Sequence, residues 1–453
     1  MPKKKTALTI EERLQQALVP AEEQPYEVPE NWVWVRLGAI AEIVTGGTPS
    51  KKHPEYYGGN FPFYKPSDLD QGRLTYDASE YLSEEGKNVS RIIPKNSTAV
   101  CCIGSIGKCG YLMCEGTTNQ QINSAIPKIN SLCLYYYLCT ENFVQDLLSM
   151  ASATTIAIVN KSKMESCAFP LPPLSEQQRI VERIEELFAK LDEAKERLQE
   201  VADSFAVRKA AILHKAFMGE LTKQWRRENG VSDESWEEKK GEDFFEYVTS
   251  GSRGWAKYYS DKGSIFVRMG NLNHGTIELD FSDIQYVELP DQVEGQRSKL
   301  QKNDILISIT ADVGMIGLVR EDMDAYINQH VALARPKDNL YAEFLAWYFV
   351  SDVGLKQMQN KQRGATKIGL GLQDIRSIIL KIPSLPEQHE IVRLIDNLLA
   401  RERAAQQATE QALASIDLMK KSILARAFRG ELGTNKASEA SALELLKQVL
   451  AEN

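Results

Sequence analysis

The chain reads LPPLSEQQRIVERI at 171–184 and IPSLPEQHEIVRLI at 382–395. Sliding Leu171–Leu221 by 211 residues lays it without a gap on Ile382–Leu432, and 19 of the 51 positions are then identical. The identities gather at the two ends: Pro172, Leu174, Glu176, Gln177, Ile180 and Val181 at the start, and Ile212, Leu213, Ala216, Phe217, Gly219, Glu220 and Leu221 at the finish. A repeat of this length fixes the plan of the molecule before any single element does.

Inside the first copy Ile180, Ile184, Leu187, Leu191, Ala194, Leu198, Val201 and Phe205 alternate four and three apart, which is a heptad seam. Ser175 with Gln178 offers a capping-box start, and the prolines of PLPP close the segment before it. The second copy carries Ile391, Ile395, Leu398, Ala405, Ala412, Ile416, Met419 and Ile423, interrupted by Glu402 and Thr409, with Ser384 and Glu387 at its start. A single apolar stripe also suits a helix lying on its own domain. The matched ends instead favour pairing the two helices as a rod about 60 Å long, at 1.5 Å per residue. Glu402 and Thr409 then read as positions facing a partner protein.

The intervening stretches, 31–170 and 236–381, have another texture: short β-type runs such as TAVCCIG, SIFVRM and DILISIT, broken by Gly, Asn and Pro. They echo one another at a drifting offset. IPKNSTAVCCIGSIGKCGYL parallels LQKNDILISITADVGMIGLV, and Asn119-Gln120-Gln121 falls on Asn328-Gln329-His330. The layout is therefore an N-terminal arm (1–30), a first domain (31–170), a helical region (171–221), a linker (222–235), a second domain (236–381), a second helical region (382–432) and a tail (433–453).

Composition excludes several classes. No run approaches the ~20 apolar residues of a membrane span, and MPKKKTALTIEERL lacks the apolar core of a signal peptide, so the expected location is cytoplasmic with no membrane contact. Seven cysteines, all in the first half and without a CxxC pair, argue against a disulfide framework and against zinc. Net charge is −8. Residues 31–165 balance 12 Lys+Arg against 12 Asp+Glu, and 236–380 hold 17 against 21, so any nucleic-acid contact must come from local loops or from a partner's charge. Catalytic motifs fail on inspection. CIGSIGKCG at 102–110 misses the first glycine and the final hydroxyl of a phosphate loop, and GxSxG, HExxH and GxGxxG find no supporting context. No metal-ligand set and no bound cofactor are expected.

Amide, hydroxyl and cationic side chains on Gly-punctuated loops do suit base reading, because bidentate donors and acceptors distinguish base edges in the major groove. The first domain offers Thr48, Ser50, Lys51, Lys52, Lys65, Ser105, Lys108, Asn119, Gln120, Gln121, Thr154 and Lys161. The second offers Arg253, Lys257, Arg268, Asn271, Asn273, His274, Gln329, His330, Arg363 and Lys367. Any one of them also suits a solvated turn.

PLPPLSEQQRIVERIEELFAKLDEAKERL followed by AFMGELTKQWR, echoed as IPSLPEQHEIVRLIDNLLA and AFRGEL, resembles the DNA-specificity subunit of a type I restriction-modification system, as do NQQIN at 119–123 and TGGTPSKKHPEYYGG at 45–59. The resemblance covers nearly the whole chain. It implies a mixed α/β (α+β) fold: two target-recognition domains separated by an antiparallel coiled coil of two long helices, with internal pseudo-two-fold symmetry. Each domain would read one block of a bipartite site on double-stranded DNA. The helices would set the gap and dock two modification (methyltransferase) subunits using S-adenosylmethionine, with restriction subunits adding ATP- and Mg-dependent translocation and cleavage. The chain itself would be non-catalytic. The competing expectation is a coiled-coil scaffold that reads no sequence.

Overall fold

A computed structural model describes residues 9–70, 74–151, 157–290, 296–363 and 369–452. The chain divides into two units, Met1–Leu198 with Ala412–Asn453, and Gln199–Gln411.

Unit 1 is built on a five-stranded sheet ordered Ala41–Thr45, Ile122–Pro127, Thr98–Cys101, Cys109–Leu112, Leu74–Thr75. All but the last pairing are antiparallel. A three-stranded sheet (Glu80–Leu82, Tyr57–Tyr64, Thr117–Thr118) adjoins it. TAVC is buried at all four positions, as a continuous apolar run in a central strand should be. Helix Ser131–Leu138 starts where the Asn130 side chain accepts the Cys133 N–H at 3.0 Å. It is apolar all round, and six of its eight residues are buried in the core. Strand Val33–Arg36 pairs with Ala168–Leu171 and ties the two ends of the domain together.

Unit 2 repeats the plan. Its main sheet runs Phe245–Ser250, Val331–Pro336, Ile305–Ser308, Ile316–Leu318, its second sheet Tyr259–Ser260, Tyr286–Val287, Ser264–Val267, Ala325–Ile327. Helix Ala342–Val350 is buried at eight of nine positions, and Glu237–Lys240 pairs with Ile379–Ile382 across the domain's ends.

The duplicated helix opening works as an anchor in both units. Glu176 is fully buried; its Oε2 accepts from Trp32 Nε1 (2.7 Å) and Asn435 Nδ2 (2.9 Å), and its Oε1 from Thr434 Oγ1 (3.2 Å). Glu387, 211 positions on and equally buried, takes Trp236 Nε1 (3.1 Å), Thr222 Oγ1 (2.7 Å) and Arg226 Nη1 (2.8 Å), all on Oε1. The next residue is a clamp. Gln177 Nε2 donates to Pro172 O (2.9 Å) while its Oε1 accepts the Asn130 N–H (3.0 Å); Gln388 does the same with Pro383 O (2.9 Å) and the Tyr341 N–H (2.9 Å). Each Gln thus fixes the start of its domain's buried helix to the start of the long helix. The expected capping boxes do not form. The long helices begin at Leu174 and Leu385, Gln178 bonds Asn130 Nδ2 and Glu182 instead, and the Glu387 carboxylate is spent on Trp236, Thr222 and Arg226.

The long helices, Leu174–Phe217 and Leu385–Ala427, pair antiparallel within each unit. In unit 1 Asp192 contacts Lys420 and Lys195 lies 3.6 Å from Asp417, so one numbering rises as the other falls. In unit 2 Leu213 and Ala216 share a core with Ile391, Ile395 and Leu399, and Arg208 Nε reaches Glu402 at 2.8 Å. The heptad reading needs four corrections, the first being that Met419 is 50% exposed and so lies off the seam. Val201 is 41% exposed and Ala202 takes its place towards Phe205, because a 3.5-residue seam drifts by about 20° per heptad on a 3.6-residue helix. Leu399 lies deeper than Leu398. Glu402 and Thr409 face the packed side of the helix: Glu402 is ion-paired with Arg208, whose guanidinium stacks 4.4 Å over Phe205, and Thr409 is buried with its hydroxyl donating to Ala405 O at 2.8 Å.

Arm and tail belong together in unit 1. Helix Ile10–Ala17 packs on helix Ala442–Ala451, Arg13 donates to Leu450 O (3.2 Å), and the Ala442 N–H donates to Asn31 O (2.9 Å).

Candidate nucleic-acid interface

In each unit the topology gathers four loops at one sheet edge. In unit 1 the strand Ala41–Thr45 ends in Gly46-Gly47, whose N–H groups donate to Ile122 O (3.0 Å) and Thr118 O (2.8 Å). A Cβ on Gly46 would stand 2.2 Å from Asn119 O, so only glycine lets this loop lie against the next. That neighbour is the turn Asn119-Gln120-Gln121. Asn119 Oδ1 accepts the Gln121 N–H (3.0 Å), its Nδ2 donates to Gln121 Oε1 (3.0 Å), and Gln120 is left exposed at the tip, bonded to Thr48 Oγ1 (2.6 Å). Gln121 O in turn accepts the Cys102 N–H (2.7 Å), and Cys102 O accepts the Val159 N–H (2.9 Å). These bonds bring in the loop with Gly104 and Gly107, both left-handed (φ +80°, +86°), and the segment before helix Lys161–Ser166.

Unit 2 reproduces the edge with other residues. The Gly251 N–H donates to Asn328 O (3.2 Å), and a Cβ there would meet Ile327 O at 1.9 Å. Asn328 Oδ1 accepts the His330 N–H (3.0 Å), His330 O accepts the Ile309 N–H (2.9 Å), and Ile309 O accepts the Leu370 N–H (2.9 Å). Gln329 holds the tip; its Nε2 lies 2.9 Å from His330 Nε2, and His330 Nδ1 lies 2.7 Å from Thr310 Oγ1. Where unit 1 has Gly104, this loop has Ala311, left-handed at φ +62°, followed by Gly314 at +98°.

The edges collect Thr48, Ser50, Lys51, Lys52, Ser105, Asn119, Gln120 and Gln121 in unit 1, and Arg253, Gln329 and His330 in unit 2. Arg363 joins through its backbone pairing with Gly369, and Lys65 follows Tyr64, whose carbonyl accepts the Asn119 N–H (3.1 Å). Several cations sit on carboxylates: Lys65 on Glu80 (2.9 Å), Lys108 on Asp70 (2.5 Å), Lys161 on Glu165 (3.6 Å), Arg268 on Asp283 (2.8 Å) and Arg363 on Asp374 (2.8 Å). An exposed pair such as Lys161–Glu165 is worth about 0–1 kcal/mol, so a phosphate exchanges readily for that carboxylate, whereas the Asp374 partner of Arg363 is buried. Lys257 stacks 4.9 Å over Tyr258, Asn273 bridges to Ile316, and His274 Nε2 lies 2.8 Å from Asp312. Asn271 has nothing to offer a base: it is 3% exposed and its amide serves Asp280 O, Asp283 O and the Arg268 N–H. Thr154 and Lys367 lie outside the described residues. Asn328 and Thr310, absent from the sequence-derived set, do the positioning in unit 2; the match of Asn328 to Asn119 was the signal for the first of them.

Residues 29–203 and 233–413 each match the family described as type I restriction modification DNA specificity domain. Over 459 residues the chain is 28% identical to the specificity subunit of the EcoBI type I restriction enzyme of Escherichia coli, covering 94% of this chain and 93% of that protein. Over 455 residues it is 25% identical to the EcoKI specificity subunit of Escherichia coli strain K12, covering 94% and 96%. Its fold is similar to the crystal structure of the HsdS subunit from Thermoanaerobacter tengcongensis, with a TM-score of 0.63, 18% identity and coverage of 90% and 99%.

Proposed function

Since the chain belongs to the type I restriction-modification DNA-specificity family and recognises a DNA target, we propose that each four-loop edge reads one block of a bipartite site. The observation that carries this reading is the repeated tip: Gln120 and Gln329 stand at equivalent positions, each on an Asn-stabilised turn locked under a glycine loop. A glutamine amide pairs bidentately with adenine, and a good bidentate pair discriminates by about 1–3 kcal/mol. The differing supports, Thr48 at one tip and His330 with Thr310 at the other, suit two blocks of different sequence. In this reading the paired helices fix the gap and dock two modification subunits. The chain performs no chemistry; those partners supply S-adenosylmethionine and methylate the DNA, and restriction subunits add ATP- and Mg-dependent cleavage.

Methylome sequencing of cells carrying the chain with its modification subunits tests the reading. Gln120→Ala should relax one block of the methylated motif and Gln329→Ala the other. A motif unchanged in both variants, or methylation without any motif, refutes it.

A further inference from the structure

In unit 2 the helix pair and its domain enclose a recess of about 310 Å³, lined among others by Phe205, Lys209, Thr276, Trp347, Arg403 and Gln406. Glu402 also lines it, yet two of its cations have no carboxylate partner among the described residues. Glu402 is committed to Arg208 at 2.8 Å, whereas neither Lys209 nor Arg403 reaches a carboxylate within 4 Å among the described residues. Burial, and after it the nearby Arg403, hold the Lys209 ammonium below its ordinary range, so an anion entering the recess would relieve both. Asp396 feels Arg403 but is held above the ordinary carboxylate range, chiefly by its own burial.

Unit 1 supplies an internal control. The repeat places Lys420 at the position of Lys209 and Asp192 at that of Arg403, and in unit 1 these two side chains are in contact. The equivalent recess, about 620 Å³, therefore holds this ion pair, with Glu185 also in its lining, where unit 2 holds two cations. The unit 2 recess also joins the reading edge. Lys209 Nζ lies 3.6 Å from where a Cβ on Gly275 would stand, the preceding His274 bonds Asp312 at 2.8 Å, and Asp312 is in the loop of Thr310, Ala311 and Gly314.

We infer that Lys209 and Arg403 form a phosphate-binding site for the backbone of the bound DNA, present on the helix pair of unit 2 and cancelled in unit 1 by Asp192. The inference rests on the DNA-reading function and adds to it a sequence-independent grip on one side of the complex. Backbone phosphate contacts release counterions, so each steepens the dependence of log K on log salt by about 0.9.

The test uses the chain assembled with its modification subunits, titrated by fluorescence anisotropy against a target duplex and a scrambled duplex at several salt concentrations between about 50 and 200 mM. Lys209→Ala with Arg403→Ala should make the slope shallower by about 1 or more, and weaken both duplexes by the same factor. Arg403→Asp, which gives unit 2 the residue pair unit 1 already carries, should do likewise without disturbing assembly. Asp192→Arg should steepen the slope by about 1. An unchanged slope, a loss confined to the target duplex, or a loss of modification subunits at constant slope overturns the inference. Failure of the underlying reading shows separately, as wild-type complex that binds the two duplexes equally.

Discussion

Replacing Glu387 by Gln isolates a buried charge from its hydrogen bonds. All three donors, Thr222 Oγ1, Arg226 Nη1 and Trp236 Nε1, converge on Oε1, and Oε2 has no partner among the described residues. A glutamine that puts its carbonyl at Oε1 keeps every bond, loses the negative charge and leaves its NH2 unpaired at the buried Oε2 position. Arg226, with its side chain 6% exposed, then keeps Asp233 at 3.0 Å, a carboxylate that is 62% exposed. Removing one member of a buried pair costs about 3–5 kcal/mol, and the surviving Asp233 contact sets the expectation at the lower end, about 3 kcal/mol. At 2–4 °C per kcal/mol for a unit of this size, that is a fall of about 6–12 °C in the melting of unit 2. Glu176→Gln is the matched control. Its partners Trp32, Thr434 and Asn435 are neutral and the Thr434 hydroxyl can reverse its bond, so the cost is about 1 kcal/mol or less. Scanning calorimetry of the two variants measures the difference. Equal losses in both, or a loss below about 1 kcal/mol for Glu387→Gln, would show that the charge is unimportant there and refute the reasoning.

Ala311→Gly removes a side chain from left-handed backbone (φ +62°) and should stabilise unit 2 by about 1 kcal/mol in urea titration, while Gly104→Ala (φ +80°) should cost unit 1 a similar amount. Gln388→Ala leaves the Tyr341 N–H and Pro383 O without their partner at the start of the buried helix Ala342–Val350; a loss of about 2–3 kcal/mol is expected, with faster amide exchange in that helix, and protection equal to wild type would count against the clamp.

The two long helices were legible because their signal is local and repeated: 3.6-residue periodicity, and the same ends written twice. The seam was legible only over its first heptads. Beyond Leu198 the drift of the heptad phase exposes Val201, and polar residues that look like interruptions, Glu402 and Thr409, turn out to be satisfied inside the pairing by Arg208 and Ala405. The roles of Glu176 and Glu387 were hidden for a different reason. Their indole partners lie 144 and 151 residues away in the chain, a distance over which no periodicity carries information. At the reading edge, residue type pointed correctly to amide-bearing turns, but type says nothing of exposure. Asn271 has the chemistry of a base reader and the burial of a core residue, while Asn328 and Thr310 act only through what they hold in place.

The discontinuity of unit 1 sets an order of events on the ribosome. Gln199–Gln411 is one uninterrupted stretch, and its core is complete once that stretch has emerged. The core around Tyr137, Phe143 and Phe169 must wait for Leu424, Phe428, Leu446 and Leu450. At about 5–20 residues per second, the nascent first domain spends roughly 10–50 s with that apolar surface unsealed after its own last strand has been made. The half synthesised first is thus the half that closes last. It is the one most in need of a chaperone, and a chain terminated between residues 411 and 420 would carry a complete second unit and an open first one.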